Sequence, residues 1–274
     1  MLGILTILLC LFSVSFHELG HAWAMRAVGV PIRTISLLGF PAFGLPYFSW
    51  KFQPKWQKDP IDIQLHPLIL GAFVAPDEKR MGELNVRDST FVSGAGPFAS
   101  FVYGIVMLCF AVIAIAPGTF LVIIPATLAL LGLLYLFRRF FCQYIVLALG
   151  VGVLVLFVAQ AFDNPNQLTS SMGGPVMLTQ QFHHDYAAGV ADNRELEMVF
   201  FLPGLLSIAL GLINAIPFVP LDGGHIALAY LEKVNKKAAD IFTNIGLILF
   251  AILMVASVGG DINVVVDWFA SLFK

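Results

Sequence analysis

Long apolar stretches alternate with short polar ones along most of this chain. A helix needs about 20 residues, at 1.5 Å per residue, to cross the roughly 30 Å hydrocarbon core of a bilayer. The spans predicted on this basis are 2–27, 91–115, 120–137, 144–162, 199–216 and 241–258. The pattern therefore predicts an all-α polytopic membrane protein with about six transmembrane helices.

The segment 29–90 is the longest polar-containing stretch before the second span. Glycines and prolines divide it into three short β-prone runs, at 32–37, 47–52 and 61–65. They predict a small membrane-associated β-hairpin or sheet after helix 1. Its aromatic residues form either an interfacial belt or the packing of the sheet. They are Phe40, Phe43, Tyr47, Phe48, Trp50 and Trp56.

Two further polar segments lie later in the chain. Residues 163–198 predict an outer loop, with a short surface helix from Gly174 to Ala191. The adjacent His183 and His184 diverge on a helix, which favours solvated side chains over a second metal site. The tail 261–274 has apolar residues at near-helical spacing and predicts a separate amphipathic helix on the opposite membrane surface.

Composition agrees with a membrane protein. The chain is 59% hydrophobic and 12% charged with a mean hydropathy of +0.88, against about 25% charged in soluble domains. A net charge of -2 without long runs of one sign gives no indication of nucleic acid, so the lipid bilayer is the expected environment. Cys10, Cys109 and Cys142 lack paired spacing, which favours buried thiols over disulfides or a cysteine metal site.

The basic residues are distributed unevenly about the predicted membrane. Thirteen of the fifteen lysines and arginines lie within 26–90, 138–143 and 223–240, all on one side. The other side keeps only Arg194 and Lys274. The positive-inside rule therefore predicts that these three segments are cytoplasmic and that both termini lie outside.

The first span contains ionisable residues that an apolar helix does not need. His17 and His21 are four positions apart, so both imidazoles project from one face and can reach a single cation. Glu18 points roughly 100° away and is free to act as a base on a metal-bound water. The same pattern also occurs in helices where it forms only a buried polar cluster. A third ligand distinguishes the two interpretations.

Asp222 is the candidate for that third ligand. Two prolines and two glycines within 217–224 predict a break in the chain after the fifth span. A broken helix at membrane depth is tolerated where it is buried in protein or faces water. We therefore expect Asp222 in a polar cavity towards the cytoplasmic face, which is also the face that His17 and His21 approach.

Three motifs occur in order and span most of the chain. They are His17-Glu18-Leu19-Gly20-His21, Gly94-Ala95-Gly96-Pro97, and Asn214-x-x-Pro217 followed by Leu221-Asp222-Gly223-Gly224-His225. Together they resemble the site-2 protease family of intramembrane zinc metalloproteases.

The resemblance implies a bacterial inner-membrane enzyme that cleaves single-span membrane proteins or signal-peptide-like segments. It implies that His17, His21 and Asp222 bind one Zn²⁺ and that Glu18 is the catalytic base. It further implies a group of residues near an unwound substrate segment. This group is Asn214, Pro217, Gly94, Gly96 and Pro97.

The sequence departs from the family pattern at three points. Ser100 stands where many members have Asn, which puts a substrate contact there in doubt, and Pro220 comes one residue later than is common. Residues 116–198 hold two apolar spans and a short loop where many bacterial members carry PDZ domains. Substrate gating by PDZ domains is therefore not expected.

Several roles have two interpretations. His225 either orients Asp222 or a zinc ligand, or is simply solvated. Asn214 either binds the oxyanion or substrate backbone, or caps carbonyls freed by Pro217. For the substrate, addition of an extended strand to an edge of the predicted sheet is the expected mode of capture, with the run from Tyr47 to Phe52 as the edge to test.

Two other functional classes use the same residues. In a membrane metal transporter the ligands form a transit site, although the spans hold almost no other ionisable residues to continue a path. In a catalytically inactive scaffold they hold structural zinc, which needs no base such as Glu18. Replacing Glu18 by Gln separates both classes from a protease.

Overall fold

The computed structural model describes residues 2–39, 46–66, 71–163, 175–192 and 194–271, with side chains except at 38, 157, 160–163, 175–179, 182–183 and 256–271. The helices are α1 (Leu2–Ala27), α2 (Glu78–Gly82), α3 (Val86–Ile115), α4 (Phe120–Leu136), α5 (Val146–Asp163), α6 (Pro175–Ala191), α7 (Glu195–Ala215), α8 (Asp222–Val234) and α9 (Lys236–Ser271). The strands are β1 (Ile32–Leu38), β2 (Phe48–Phe52), β3 (Ile61–Leu65) and β4 (Phe73–Pro76). A π-helical turn, Phe141–Ile145, precedes α5.

Six helical segments among the described residues are long and apolar enough to cross a membrane. They are Leu2–Ala27, Val86–Ile115, Pro117–Leu136, Arg138–Leu156, Glu195–Ala215 and Lys236–Val255. Together with the four-stranded sheet that follows α1, they confirm the predicted fold class. The protein is an integral membrane protein.

The second span begins earlier than its hydropathy indicates. The side chain of Asn85 accepts a hydrogen bond of 3.0 Å from the backbone N–H of Asp88, which caps α3 at its start. Val86 and the polar residues 87–90 therefore belong to the first turns of this helix rather than to the insertion. Similarly, α7 begins at Glu195, four residues before the predicted start of that span at 199.

The centre of the helical bundle is α3, which packs against both α1 and α7. Close approach of α1 to α3 requires Gly20, since a Cβ there would overlap the backbone carbonyl of Ala95. By contrast, α4 has no buried residues, and Leu136 near its end is 74% exposed. The helices that carry the polar motifs are thus the inner ones, and α4 lies at the periphery.

The sheet has the strand order β2-β3-β1-β4. β1 runs parallel to β3 and antiparallel to β4, while β2 runs antiparallel to β3. The first three strands match the predicted runs closely. The fourth strand was not predicted, because it has only four residues, ends in proline and shows no alternation of apolar and polar positions.

The aromatic residues of the sheet are exposed rather than part of its core. Phe48 is 67% exposed, Trp50 41% and Trp56 38%. Tyr47 is also exposed and stacks near His66. These exposures contradict the interpretation in which the aromatic side chains pack the sheet. Phe40 and Phe43 lie outside the described residues.

The later segments differ in how closely they match prediction. α7 ends at Ala215 and α8 begins at Asp222, so the chain does break around the prolines as predicted. The surface helix predicted within 163–198 is present as α6. The tail 261–274 was predicted to form a helix separate from the sixth span. That separation is wrong, since α9 continues unbroken to Ser271. Two glycines at 259–260 cost a helix only about 1 kcal/mol each, and no proline ends it.

Candidate metal centre

The two histidines of the first motif lie side by side on α1, inside the protein. Their ring centroids are 5.1 Å apart, as expected for residues one helical turn apart. The side chains of His17 and His21 are only 5% and 11% exposed. Both therefore need polar partners within the protein.

Asp222 supplies one of these partners to each ring. Its Oδ2 lies 3.0 Å from Nε2 of His17, and its Oδ1 lies 3.3 Å from Nε2 of His21. One ligand atom from each of the three residues lies within 4.8 Å of the others. The chain thus brings together three groups, the third of them more than two hundred positions after the first, in the arrangement that the sequence predicts.

The local chain path explains how Asp222 reaches this position. It is the first residue of α8, which starts directly after the break that ends α7. Gly223 allows α8 to begin there, because a Cβ at this position would overlap the carbonyl of Ala215 at the end of α7. The Pro and Gly residues of the motif therefore fold the chain back so that a carboxylate faces α1.

Hydrogen bonds on the far side of each ring fix the orientation of the two imidazoles. Nδ1 of His21 donates to the carbonyl of Val92 at 2.8 Å, and Nδ1 of His17 lies 2.8 Å from the hydroxyl of Ser100. A carbonyl only accepts, so Nδ1 of His21 carries a proton and its neutral form has a lone pair on Nε2. That lone pair faces the Asp222 carboxylate, and the two repel unless a proton or a metal cation lies between them.

The space between the two Nε2 atoms and α3 depends on glycine at position 96 of that helix. A Cβ built on Gly96 would lie 2.5 Å from Nε2 of His17 and closer still to Nε2 of His21. Any larger residue would fill the region into which both nitrogens point. Two imidazoles and a carboxylate around this space form a donor set that suits zinc and leaves a fourth position free.

Glu18 faces a cavity of about 360 Å³ that also contains His21 and Asp222. Val74 of β4 also lines this cavity. The offset of Glu18 from His17 around α1 therefore places its carboxylate beside the three ligand groups rather than among them. In this position it can exchange a proton with a molecule held next to Asp222.

His225 lines the same cavity one turn after Asp222 and is exposed. The cavity places it near the ligand carboxylate. Among the side-chain hydrogen bonds of the described residues, its imidazole forms none with Asp222. Its predicted orienting role stays a prediction.

The residues with a predicted substrate role lie around the centre in different settings. Gly94 packs against the Cys142 carbonyl, and Pro97 is fully buried inside α3. Asn214 donates from its side-chain amide to the carbonyl of Leu210 at 3.1 Å, so it does not cap a carbonyl freed by Pro217. Neither Asn214 nor Pro217 lines the cavity of Glu18. Contacts of these residues with substrate remain predictions.

Sequence reasoning missed two groups that orient the histidines. Ser100 was noted only as a departure from a family pattern, although a serine inside an apolar span needs a polar partner and His17 is available. The other group is the backbone carbonyl of Val92, and a backbone group leaves no signal in the sequence. Its position follows from the packing of α1 on α3.

The fold and the centre together define a polytopic membrane protein with a donor set of the metallopeptidase type. The family model of peptidase family M50 matches residues 5–256. The chain belongs to this family.

Individual relatives match over a shorter stretch. The regulator of sigma-E protease RseP of Escherichia coli is 32% identical over 101 residues, 34% of this chain and 21% of the relative. LL2128 of Lactococcus lactis, named by inference as a zinc metalloprotease, is 33% identical over 96 residues, 33% of this chain and 21% of the relative. The protease eep of Enterococcus faecalis, also named by inference, is 37% identical over 99 residues, 34% and 22% respectively. The matches thus span about a fifth of each relative.

Proposed function

We propose that this protein is a zinc-dependent intramembrane endopeptidase. The observation that carries the proposal is the convergence of His17, His21 and Asp222 beside Glu18, within a bundle of membrane-spanning helices. Membership of peptidase family M50 and the protease names of the relatives support it. The name of the Lactococcus lactis relative supports zinc as the metal, with one ion per chain because the described residues provide one such donor set.

Each residue of the centre has a distinct task in peptide hydrolysis. His17, His21 and Asp222 would hold the ion, which when bound lowers the pKa of water and polarises a peptide carbonyl. The Glu18 carboxylate accepts a proton from the attacking water and passes it to the leaving amine. Val92 and Ser100 keep the imidazoles in place during these transfers.

We place the centre towards the cytoplasm, with both termini outside. The support is that thirteen of the fifteen basic residues lie within segments on the side of the sheet and of Asp222. The relatives come from bacteria, so the membrane would be the bacterial inner membrane. Substrates would be single-span proteins or signal-peptide-like segments that are cut near the cytoplasmic side.

A substrate must be extended before its backbone can be attacked, and an edge strand provides a partner for an extended chain. The run from Tyr47 to Phe52 contains β2, which lies at the edge of the sheet remote from β4. The opposite edge is β4, and Val74 in this strand lines the cavity of Glu18. We therefore assign strand capture to β4 instead of β2.

The proposal is tested by zinc analysis together with co-expression of candidate single-span clients. Wild-type protein is expected to contain one zinc per chain and to cut at least one client. Glu18→Gln should keep the zinc and lose cleavage by about 10² to 10⁴. Asp240→Asn, a change at an exposed acid outside the cavity, is the matched control and should behave as wild type. A wild type that holds zinc but cuts no client would favour a transporter or a scaffold, and cleavage that persists in Glu18→Gln would exclude Glu18 as the base.

A further inference from the structure

The cavity beside the metal centre continues along one face of α8. Asp222, His225, Ala229 and Glu232 line it, and their spacings of three, four and three residues keep them on one side of a helix. The side chain of Asp222 is only 17% exposed, whereas Glu232 is exposed. The cavity therefore runs from the ligand carboxylate to solvent at Glu232.

Glu232 carries a negative charge that no basic residue in the described lining of this cavity neutralises. The lining contains no lysine or arginine among the residues that the structure describes, and Glu232 takes part in none of their ion pairs. A divalent cation would offset the two carboxylates of Glu18 and Asp222. The carboxylate of Glu232 then remains to attract a positive charge at the solvent end.

The separation of the two ends can be expressed in substrate residues. Ten positions of α8 separate Asp222 from Glu232, which is about 15 Å at 1.5 Å per residue. An extended peptide advances about 3.4 Å per residue. Four or five substrate residues would therefore reach from the bond that is cut to the carboxylate of Glu232.

We infer that Glu232 determines specificity by binding a lysine or arginine of the substrate four or five residues from the scissile bond, on the cytoplasmic flank. The inference rests on the proposed function and adds a substrate feature to it. Single-span proteins that obey the positive-inside rule carry basic residues on that flank. An ion pair at a fixed distance would thus set where along a substrate helix the cut falls.

The test uses a client that the wild type cleaves and whose cut bond has been mapped. A single lysine is moved through positions two to eight from that bond on a neutral cytoplasmic flank, and a second series carries glutamate instead. The wild type should cut the lysine series fastest at positions four and five, by about two- to fivefold. Glu232→Lys should lose this maximum and gain one for glutamate, and 0.5 M salt should weaken both preferences.

The matched control is Asp240→Lys, which makes the same charge change at an exposed site outside the cavity and should keep the wild-type profile. A flat wild-type profile, or an unchanged maximum in Glu232→Lys, overturns the inference alone. If Glu232→Lys fails to fold or to hold zinc, Glu232→Gln decides, since it should flatten the lysine profile. A wild type that holds zinc but cuts no client contradicts the proposed function and this inference with it.

Discussion

Nδ1 of His17 lies 2.8 Å from the hydroxyl oxygen of Ser100, which comes from the neighbouring helix α3. Both side chains are buried. With Nδ1 engaged by the hydroxyl, the ring presents Nε2 to Asp222. Ser100 does not line the cavity of Glu18, yet it holds the ring of one proposed metal ligand in its orientation.

Removal of the Ser100 hydroxyl should weaken metal binding while the packing of α3 stays intact. In Ser100→Ala we expect zinc affinity to fall about 10- to 100-fold, because His17 loses the contact that holds its ring in place. Competition with a fluorescent zinc chelator measures the change. Ser207→Ala is the control, since the Ser207 hydroxyl bonds the backbone carbonyl of Ser100 and not His17. Equal affinities in Ser100→Ala and wild type would refute the orienting role.

Gly96→Ala should abolish zinc binding although it adds only one methyl group. The new Cβ would occupy the region towards which both Nε2 atoms point, and neither buried ring can retreat freely. Zinc content after purification measures the effect. Gly132→Ala, in open space on α4, makes the same chemical change and should keep the metal. Retention of zinc by Gly96→Ala would show that the centre tolerates displacement of α3.

Asp222→Asn should lower zinc affinity at least 100-fold, since an amide keeps the shape of the ligand but removes its charge. In the wild type, zinc should also be lost on acidification, because protons compete with the metal for the histidine nitrogens. Competition with a zinc chelator measures the affinity of Asp222→Asn. Bound zinc in the wild type is measured between pH 8 and pH 5. A pH-independent zinc content, or an unchanged affinity in Asp222→Asn, would exclude this donor set.

We expect an extended substrate segment to pair with β4, an outer strand of the sheet. In a Glu18→Gln background, which retains uncut client, Val74→Pro should reduce client co-purification several-fold, because it removes the backbone N–H that faces residue 18 at this edge of the sheet. Ser49→Pro, the equivalent change in β2 at the remote edge, should leave capture intact. The reverse result would return strand addition to the run from Tyr47 to Phe52.

The sequence predicts the membrane helices and the convergence of His17, His21 and Asp222 well, because both leave strong local signals. A histidine pair at helical spacing in an apolar run has few structural explanations, and the Pro and Gly residues around Asp222 mark a break that only a polar cavity tolerates. The side of the membrane is predicted from basic residues and stays a prediction. The position of Asp222 against both rings agrees with these separate signals.

Features that depend on tertiary packing could not be predicted in this way. β4 is four residues long and exists because β1 offers it a partner. Nothing in the sequence indicates that Val74 of β4 pairs with Ile35 of β1. The Val92 carbonyl and the space at Gly96 depend on how closely α1 and α3 approach. The tail was wrongly separated from α9 because hydropathy marks where a membrane core ends, and a helix can continue beyond that point.

The ligands of the centre are separated by 205 positions between His17 and Asp222. At a ribosomal rate of about 5 to 20 residues per second, the carboxylate is made roughly 10 to 40 s after the first imidazole. During that interval α1 carries both imidazoles without the third donor group. The centre can therefore form only after the chain has been made as far as α8.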